Sequence, residues 1–274
     1  MFLRKSVLRA LHLLALFLTL GLTSIPVHAE STWDQINKPG VLRAGAIQNP
    51  PFWFKDPATG EWKGAMVEMA QDIANTLGVK LVNVETTWGT AVLDLQSNKT
   101  DLQFSLQATP TRALAIDFAG PAYNVLYYAL NSQKFHGETW ADYNKPNVKI
   151  AGMTGTSDMV MINKMTPQAQ HVSLPTVSDA SMAVTAGHVD AMITTAIVAL
   201  AAKAKNPGLG SIVLLTPRVS LPSYIGIRRE PDQSFHSFLQ AWAEWNELLG
   251  YNDERLRRNL STLGVTDIPD DVHF

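Results

Sequence analysis

Residues 101–118 read DLQFSLQATPTRALAIDF, an apolar run followed by small polar residues and a single arginine. The apolar run from Leu102 to Phe104 predicts a short buried strand. Ser105, Gln107 and Thr109 follow it, at the carboxyl end of that strand. Open α/β sheets form their ligand crevices at this edge. The stretch therefore predicts an α/β sheet with a polar site at the end of one of its strands.

Arg112 is the one charged side chain between Asp101 and Asp117. Its planar guanidinium can hold a carboxylate through two parallel hydrogen bonds, while hydroxyl and backbone N–H groups fill the remaining lone pairs. An ordinary helix start is the alternative, with Thr109 and Pro110 as its first residues and Arg112 on the solvent-exposed face. Taken alone, the segment favours this ordinary helix start. The choice therefore depends on the motifs around it.

The first 29 residues have the pattern of a secretory signal. Three basic residues precede an apolar stretch centred on Leu13–Leu20, and Ala29 follows as a small residue at the cleavage position. A retained membrane helix is the alternative, but the uninterrupted apolar core is shorter than the ~20 residues that a membrane span needs. We expect residues 1–29 to be a signal peptide that is cleaved after Ala29, and we expect the protein to reside in the periplasm.

The composition excludes several classes of function. There is no cysteine, so disulfides, thiolate chemistry and a lipid anchor on cysteine are impossible. Removal of residues 1–29 leaves 245 residues with 19 basic and 24 acidic side chains, a net charge of −5. Such a surface suits neither nucleic acid nor an anionic membrane. The histidines are scattered, and neither a phosphate loop nor a Gly-x-Ser-x-Gly sequence occurs, so we predict no metal and no cofactor.

The order of the predicted elements is that of an α/β fold. Strands and helices alternate from Gly40 onward, and an apolar, aromatic segment at 123–130 predicts a strand that crosses between two lobes. The predicted strands are 41–47, 79–84, 102–105, 148–153, 171–174, 191–194, 211–215 and 224–228, and the predicted helices are 64–77, 90–97, 158–164, 178–186, 197–205, 235–249 and 254–263.

Two lobes joined by two crossing strands fit this order best. Each lobe is predicted as a mostly parallel sheet flanked by helices. The first lobe would comprise residues 35–124 and 224–274, and the second would comprise residues 128–218. A chain of this length with 46% hydrophobic residues can bury the cores of two such lobes.

Many short motifs, taken in their order and spacing, resemble one family of exported proteins. They are Gly40-Val-Leu-Arg-Ala-Gly45, Pro50-Pro51-Phe52, Gly60 with Gly64, Ala74-Asn-Thr-Leu-Gly-Val79, Trp88, Asp101, Ser105, Thr109, Arg112, Asp117-Phe118, Gly155-Thr156 and Ala186-Gly187-His188-Val189-Asp190. The chain is similar, over nearly its whole mature length, to the extracytoplasmic solute-binding proteins of family 3, which serve ABC importers of polar amino acids. The resemblance implies a two-lobed periplasmic binding protein fold that closes on a small solute.

The same resemblance implies roles for first-lobe residues. Arg112 matches the arginine that binds the α-carboxylate of the solute. Ser105 and Gln107 match positions that contact the amino-acid head, although a serine is more usual at the place of Gln107. Trp88 matches a side chain that packs on the solute. The same wall should include Asn49 and Phe52.

The turn at 154–157 matches the second-lobe turn that offers backbone N–H groups to the carboxylate, with Thr156 and Ser157 as the contacting residues. Gly155 lets the chain turn tightly, and exposed N–H groups at a helix start attract negative charge. Ser157 is also a candidate helix cap. For the turn taken alone, an ordinary strand-to-helix turn without a solute is the alternative. Its combination with Arg112 favours binding.

Thr195 departs from the family pattern. In the family's amino-acid binders an aspartate usually lies five positions beyond the Gly-x-x-Asp motif and pairs with the α-ammonium, and counting from Asp190 leads to Thr195. A neutral hydroxyl cannot pair with an ammonium that loses its water. Asp158 could substitute, whereas Asp190 suits a structural role at the start of a strand. We therefore predict a carboxylate solute, an amino acid or an amino-acid-like compound, and leave open whether it carries an α-ammonium.

The predicted function is that of a monomeric periplasmic protein that delivers a small carboxylate to the membrane permease of an ABC importer. An enzyme is the first alternative, because the same fold includes periplasmic cyclohexadienyl dehydratases. Asp158 could then act as a general acid if burial raises its pKa, although an acidic residue in the first turn of a helix is favourable without any ligand. A sensor subunit of the same fold is the second alternative, and the sequence does not separate it from a transport protein.

Overall fold

The computed structural model describes residues 30–265 and residue 268. The predicted signal peptide, residues 1–29, lies outside them, so its cleavage stays a prediction. The chain from Thr32 onward forms one compact unit. Within the described part of the chain, no helix is both long enough and apolar enough to cross a membrane.

Strands and helices alternate along the chain, as the sequence predicts. The strands are β1 Val41–Ala46, β2 Phe54–Lys55, β3 Trp62–Lys63, β4 Lys80–Glu85, β5 Leu102–Leu106, β6 Ile116–Asn131, β7 Lys149–Met153, β8 Gln170–Leu174, β9 Ala191–Thr195, β10 Ile212–Leu214 and β11 Ser220–Arg228. The helices are α1 Thr32–Asn37, α2 Ala65–Leu77, α3 Ala91–Gln96, α4 Pro110–Ala113, α5 Trp140–Tyr143, α6 Ser157–Met165, α7 Val177–Thr185, α8 Ala196–Lys205, α9 Ser234–Leu248 and α10 Tyr251–Thr262.

The main sheet has the strand order β4-β1-β5-β11-β6-β9-β7-β8, and β10 also pairs with β6. β1 lies between β4 and β5 and is parallel to both, and β7 is likewise parallel to β8 and β9. Antiparallel pairing through β11 and β6 joins these two parallel groups. The predicted α/β architecture, that of a two-lobed periplasmic binding protein, is confirmed. The residue bounds of each lobe stay a prediction.

β6 is the long strand that belongs to both parallel groups. It pairs with β11 from Ile116 to Leu126 and with β9 from Tyr127 to Asn131. The crossing strand predicted at 123–130 is therefore the second half of a longer element. Gly120 and Pro121 interrupt the first half, and these residue types weaken the pattern of a strand in the sequence.

Helix α2 shows how the sequence specifies an element that covers the sheet. Its buried residues Met66, Met69 and Ile73 recur at the spacing of one helical face, so they pack together on the core side. Gly78 ends the helix in a left-handed conformation with φ 69°, where its N–H donates to the carbonyls of Ala74 and Asn75. The helix bounds predicted from the sequence differ by one residue from those observed.

The short elements are the ones that the sequence analysis misses. They are the β2–β3 hairpin and the helices α1, α4 and α5. Each has six residues or fewer, which is too short for a hydrophobic period to be recognised. The helix α4 is the ordinary helix start considered for Thr109 and Pro110, and it places Arg112 in its third position.

Candidate ligand-binding site

A cavity of about 30 Å³ lies where the carboxyl ends of β1, β4, β5, β7 and β9 meet the middle of β6. All nine residues predicted to contact a solute line it, and five further residues complete the lining. The lining residues are Asn49, Phe52, Trp88, Ser105, Gln107, Arg112, Tyr123, Val125, Met153, Thr156, Ser157, Asp158, Thr195 and Val198. We call residues 49–125 of this set the first wall and residues 153–198 the second wall.

Arg112 reaches from the first wall towards the second. Thr109 caps its helix by accepting a hydrogen bond from the Arg112 backbone N–H. The guanidinium donates through Nη1 to the carbonyl of Gln107 at 3.2 Å and through Nη2 to the carbonyl of Gly155, also at 3.2 Å. Among the residues that the structure describes, no carboxylate lies within 4.0 Å of it. Three of its five N–H groups thus stay available to an anion.

Burial lowers the pKa of Arg112, and the negative charge of Asp158 opposes this effect. An arginine nevertheless keeps its proton in a protein. The half-buried guanidinium is therefore a cation whose charge only carbonyl dipoles offset at close range. This arrangement suits a carboxylate that arrives from solution.

The end of β5 is shaped to present backbone and side chain together. Ser105 has φ 66°, a left-handed conformation that a residue other than glycine rarely adopts. Its hydroxyl accepts a hydrogen bond of 2.7 Å from Tyr123. Burial raises the pKa of Tyr123 to about 12, so the phenol stays a neutral donor. The Ser105 hydroxyl proton is free to point into the cavity.

The second wall is built on the start of helix α6. Thr156, not Ser157, occupies the N-cap position, and its hydroxyl donates to the carbonyl of Met153 rather than capping the helix. The expectation that Ser157 caps this helix is wrong. Ser157 is the first helical residue, and its hydroxyl donates to the side-chain oxygen of Gln107 on the opposite wall. The N–H groups of the first turn have no side-chain cap, and the residues Thr156, Ser157 and Asp158 at this helix start line the same cavity.

Gly155 brings the two walls into contact. It has φ 78°, and a Cβ built on it would lie 3.0 Å from the backbone N and Cα of Gly89. Any side chain at this position would push the two segments apart. The glycine therefore permits the tight turn, as the sequence analysis expects, and it also permits the close approach of the two segments.

The aromatic side chains stand together in the first wall. The Phe52 and Tyr123 ring centroids are 5.9 Å apart, and Trp88 packs edge-on against Trp53 at 6.1 Å. Aromatic pairs at such distances hold one another in place. Trp88 and Phe52 thus form a fixed apolar surface beside the polar groups, and the packing of Trp88 on a solute stays a prediction.

Asp158 is the acidic residue in the lining. One of its oxygens accepts a hydrogen bond of 3.3 Å from Tyr127, and the other accepts one of 3.1 Å from Thr194. Burial raises its pKa from 3.8 to about 6, and the hydrogen bonds and the charge of Arg112 reduce this effect. Burial and the neighbouring Asp158 likewise raise the pKa of Tyr127, which keeps that phenol protonated.

Asn49 and Thr195 are buried polar residues with unused side-chain atoms. Asn49 is 2% exposed and its Oδ1 has no hydrogen-bond partner, and Thr195 is 8% exposed and its Oγ1 has none. Asp190, by contrast, has the structural role predicted for it, since its carboxylate accepts a hydrogen bond of 2.8 Å from the Lys149 N–H.

Sequence reasoning did not assign Tyr123, Val125, Met153 and Val198 to the site. They lie within strands and a helix whose apolar patterns indicate core positions. Only the pairing of β6 with both β11 and β9 brings Tyr123 and Val125 to the cavity. No local signal in the sequence distinguishes them from ordinary core residues.

Comparison with known proteins agrees with this geometry. Residues 42–171 match the sequence model of the bacterial extracellular solute-binding proteins, family 3. A crystal structure of the ancestral amino acid-binding protein AncCDT-1, described as a precursor of cyclohexadienyl dehydratase, superimposes with a TM-score of 0.74. It has 29% sequence identity, and the alignment covers 84% of this chain and 99% of that one.

Two further relatives are informative. An amino acid ABC transporter substrate-binding protein from Streptococcus pneumoniae, bound to L-arginine, has a TM-score of 0.76 and 25% identity, with 87% of this chain and all of that chain covered. Cyclohexadienyl dehydratase from Pseudomonas aeruginosa is 33% identical over 102 residues, which are 37% of this chain. The match spans only 36% of the length of that dehydratase.

The fold and these matches define the class of protein: a two-lobed, extracytoplasmic solute-binding protein. Residues 42–171, nearly half of the chain, match the model of the bacterial extracellular solute-binding proteins, family 3, and the similar solved structures are amino acid-binding proteins.

Proposed function

We propose that this protein captures a small carboxylate-bearing solute outside the cytoplasm and delivers it to the permease of an ABC importer. The observation that carries the proposal is Arg112, a half-buried cation in the cavity with no carboxylate within 4.0 Å among the described residues. A carboxylate solute would complete this site. The uncapped N–H groups at the start of α6 would bind the same anion from the other wall.

Contacts between the walls link binding to closure. The hydrogen bonds from Arg112 to Gly155 and from Ser157 to Gln107 both join residues of opposite walls. A solute held between the same groups would favour the arrangement in which the walls meet. The closed form would then be the one that the permease recognises.

Similar proteins support the transport role. The arginine-bound relative from Streptococcus pneumoniae is named as a substrate-binding protein of an amino acid ABC transporter. We propose the same role here for a monomeric protein released into the periplasm after cleavage at Ala29. The net charge of −5 for residues 30–274 agrees with a partner other than nucleic acid.

Binding is tested first with the purified protein. Native mass spectrometry should detect a small carboxylate that co-purifies, and calorimetry with that compound should give its affinity. Replacement of Arg112 by methionine should weaken the affinity by about 100-fold or more, because the carboxylate would be buried without its counter-ion. Equal affinity in wild type and Arg112→Met would refute the site. Loss of uptake of the same compound, on deletion of the gene in its own bacterium, tests the delivery step.

A dehydratase activity is the second candidate, and one specific observation favours it. Asp158 lines the cavity with a pKa raised to about 6, which suits a general acid near neutral pH. In such a reaction protonated Asp158 would give its proton to the ring hydroxyl of a cyclic substrate as the C–O bond breaks and water leaves. The C–C bond to the ring carboxylate would break at the same time, release CO2 and supply the electron pair that makes the ring aromatic. Incubation with prephenate or arogenate tests this. Product formation that disappears in Asp158→Asn would support the enzyme, and absence of product in the wild type would exclude it.

A further inference from the structure

The polar side chains that line the cavity fall into two groups, those with protein partners and those without. Ser105, Gln107, Thr156 and Ser157 each have a hydrogen-bond partner within the protein. Asn49 and Thr195 have side-chain atoms that are buried and without a partner. Buried polar groups in native proteins are almost always hydrogen-bonded, so an exception in a cavity lining points to a ligand.

Asn49 is held in place by its backbone alone. Its N–H donates to the carbonyl of Trp53 at 2.9 Å, and its own carbonyl accepts a hydrogen bond of 2.9 Å from Phe52. These bonds fix the turn between β1 and β2. The side-chain amide is 2% exposed and lines the cavity. The backbone hydrogen bonds therefore hold Asn49 in place, while its side-chain oxygen makes no hydrogen bond within the protein.

Thr195 has the same character on the second wall. It occupies the N-cap position of α8, yet its hydroxyl makes no capping hydrogen bond. N-cap threonines stabilise helices through this very bond. Thr195 lines the cavity, and its buried hydroxyl has no partner among the described residues.

Asp158 is engaged differently, because its hydrogen bonds lead away from the cavity. Tyr127 and Thr194, which donate to its two oxygens, are both 1% exposed, and neither lines the cavity. Both oxygens of Asp158 are thus engaged by donors that lie outside the cavity, although the residue itself lines it. Asn49 and Thr195 therefore offer uncharged side-chain atoms without a protein partner to a ligand's second polar group, beside the free hydroxyl proton of Ser105.

We propose that the solute carries, beside its carboxylate, an uncharged hydroxyl that Asn49 and Thr195 recognise, so that the protein prefers hydroxy acids to the corresponding amino acids. This inference rests on the proposed capture of a carboxylate by Arg112. A hydroxyl can donate to Asn49 Oδ1 while it accepts from the Thr195 hydroxyl, and both orphan atoms are then satisfied. An ammonium at the same place would lose its water without a facing carboxylate.

Matched pairs of probes test the inference by calorimetry on the wild-type protein. L-lactate is compared with L-alanine, and L-3-phenyllactate with L-phenylalanine, so that each pair differs only at the α-substituent and the two pairs differ in size. We expect the hydroxy acid of the binding pair to bind about tenfold or more tightly than its amino acid, because the amino acid must bury an unpaired charge.

Variants then assign the preference to residues. Thr195→Val and Asn49→Ala should each weaken the binding of the hydroxy acid by about tenfold, since each removes one partner of the buried hydroxyl of the solute. Thr100→Val is the matched control, because it also removes a buried threonine hydroxyl without a partner, and since Thr100 does not line the cavity the selectivity within a pair should stay unchanged. Thr195→Asp should shift the preference towards the amino acid. Thermal unfolding of each variant checks that it is folded.

The outcomes separate the two proposals. The hydroxyl inference is overturned if the wild type binds the amino acid more tightly than the hydroxy acid and Asp158→Asn loses this preference. The proposed capture of a carboxylate is not affected by that result. Unchanged selectivity in both Thr195→Val and Asn49→Ala also overturns it. Binding by neither member of either pair counts against the proposed capture of a small carboxylate, and the inference fails with it.

Discussion

The cavity between the two walls is much smaller than a groove elsewhere on the molecule. The two regions also differ in whether their charged and polar side chains have partners within the protein. The groove lies between the β2–β3 hairpin, helix α2 and helix α10 and has a volume of about 750 Å³, against about 30 Å³ for the cavity. The charged side chains that line it all have ionic partners. The pairs are Asp56 with Lys63, Asp72 with Arg255 and Glu68 with Arg258.

In the cavity, by contrast, some polar side-chain atoms lack a partner within the described part of the protein. Its cation Arg112 has no carboxylate within 4.0 Å among the described residues, and the side chains of Asn49 and Thr195 have polar atoms without partners. In the groove, polar groups satisfy one another and stabilise the contact of three elements. Volume therefore does not distinguish the two regions by function, whereas the presence of polar groups without a protein partner does.

Arg112→Met is the strongest way to break this comparison. Loss of the cation should reduce carboxylate affinity by about 3–5 kcal/mol while the stability of the protein changes little. Arg258→Met in the groove's outer ion pair is the control, since it removes an arginine that pairs with Glu68 and does not line the cavity. Calorimetry with the co-purified solute should show a large loss for the first variant and none for the second. Equal losses in the two would mean that the distinction between the regions is wrong.

Arg255→Met tests the groove from the other side. Arg255 lies 3.2 Å from Asp72, donates to Asn246 at 2.6 Å and to Asn252 at 2.9 Å, and stacks over Trp242. We expect its loss to lower the free energy of unfolding by about 1–3 kcal/mol, since several buried polar groups lose their partner. Urea denaturation measures this change. The solute affinity of the folded variant should stay at the wild-type value, and a marked fall in affinity would give the groove a part in binding.

Asp158 sharpens the comparison through pH. Its pKa of about 6 in the folded protein lies above the ordinary 3.8, so folding favours the protonated acid. Its contribution to stability is present below about pH 4 and is lost as the pH rises through about 6. Relative to Asp158→Asn, the wild type should therefore lose on the order of 1–3 kcal/mol between these limits. Chemical denaturation of both proteins at several pH values measures the difference, and parallel curves would contradict it.

Gly155→Ala should have the smallest effect. The added methyl group would lie 3.0 Å from the backbone of Gly89, and the alanine would have to adopt the left-handed φ of 78°. Gly187→Ala is the matched control, because Gly187 has φ 71° and nothing within 4 Å of the added Cβ. Both variants should lose about 1 kcal/mol of stability from backbone strain. Only Gly155→Ala should also bind solute more weakly, and an equal affinity in the two variants would show that the contact with Gly89 is irrelevant to closure.

Much of the candidate site could be predicted from the sequence because its residues follow strands. Gln107 and Thr156 follow the buried strands β5 and β7, Trp88 follows the partly exposed strand β4, and the carboxyl ends of parallel strands meet at one edge of a sheet. All nine predicted residues accordingly line one cavity. Their contact with a solute stays a prediction until it is measured.

Other parts of the site could not be read from local patterns. The predicted helix cap was wrong by one position, since Thr156 and not Ser157 is the N-cap. The Ser157 hydroxyl instead donates to Gln107, which lies fifty residues away in the chain. Tyr123 lies in a strand whose first half is interrupted by Gly120 and Pro121. Its position at the cavity depends on pairing with β11, which lies about a hundred residues further along.

The sequence by itself determined the α/β class, the order of the elements and the presence of a single arginine among small polar residues after a strand, because periodicity, turn residues and side-chain chemistry act over a few neighbouring positions. The tertiary structure alone decided which polar groups are satisfied. It turned Asp158 towards Tyr127 and Thr194, and it left Asn49 and Thr195 facing the cavity. Hydrogen bonds depend on distances of a few tenths of an ångström between remote segments, and only the folded chain sets those distances.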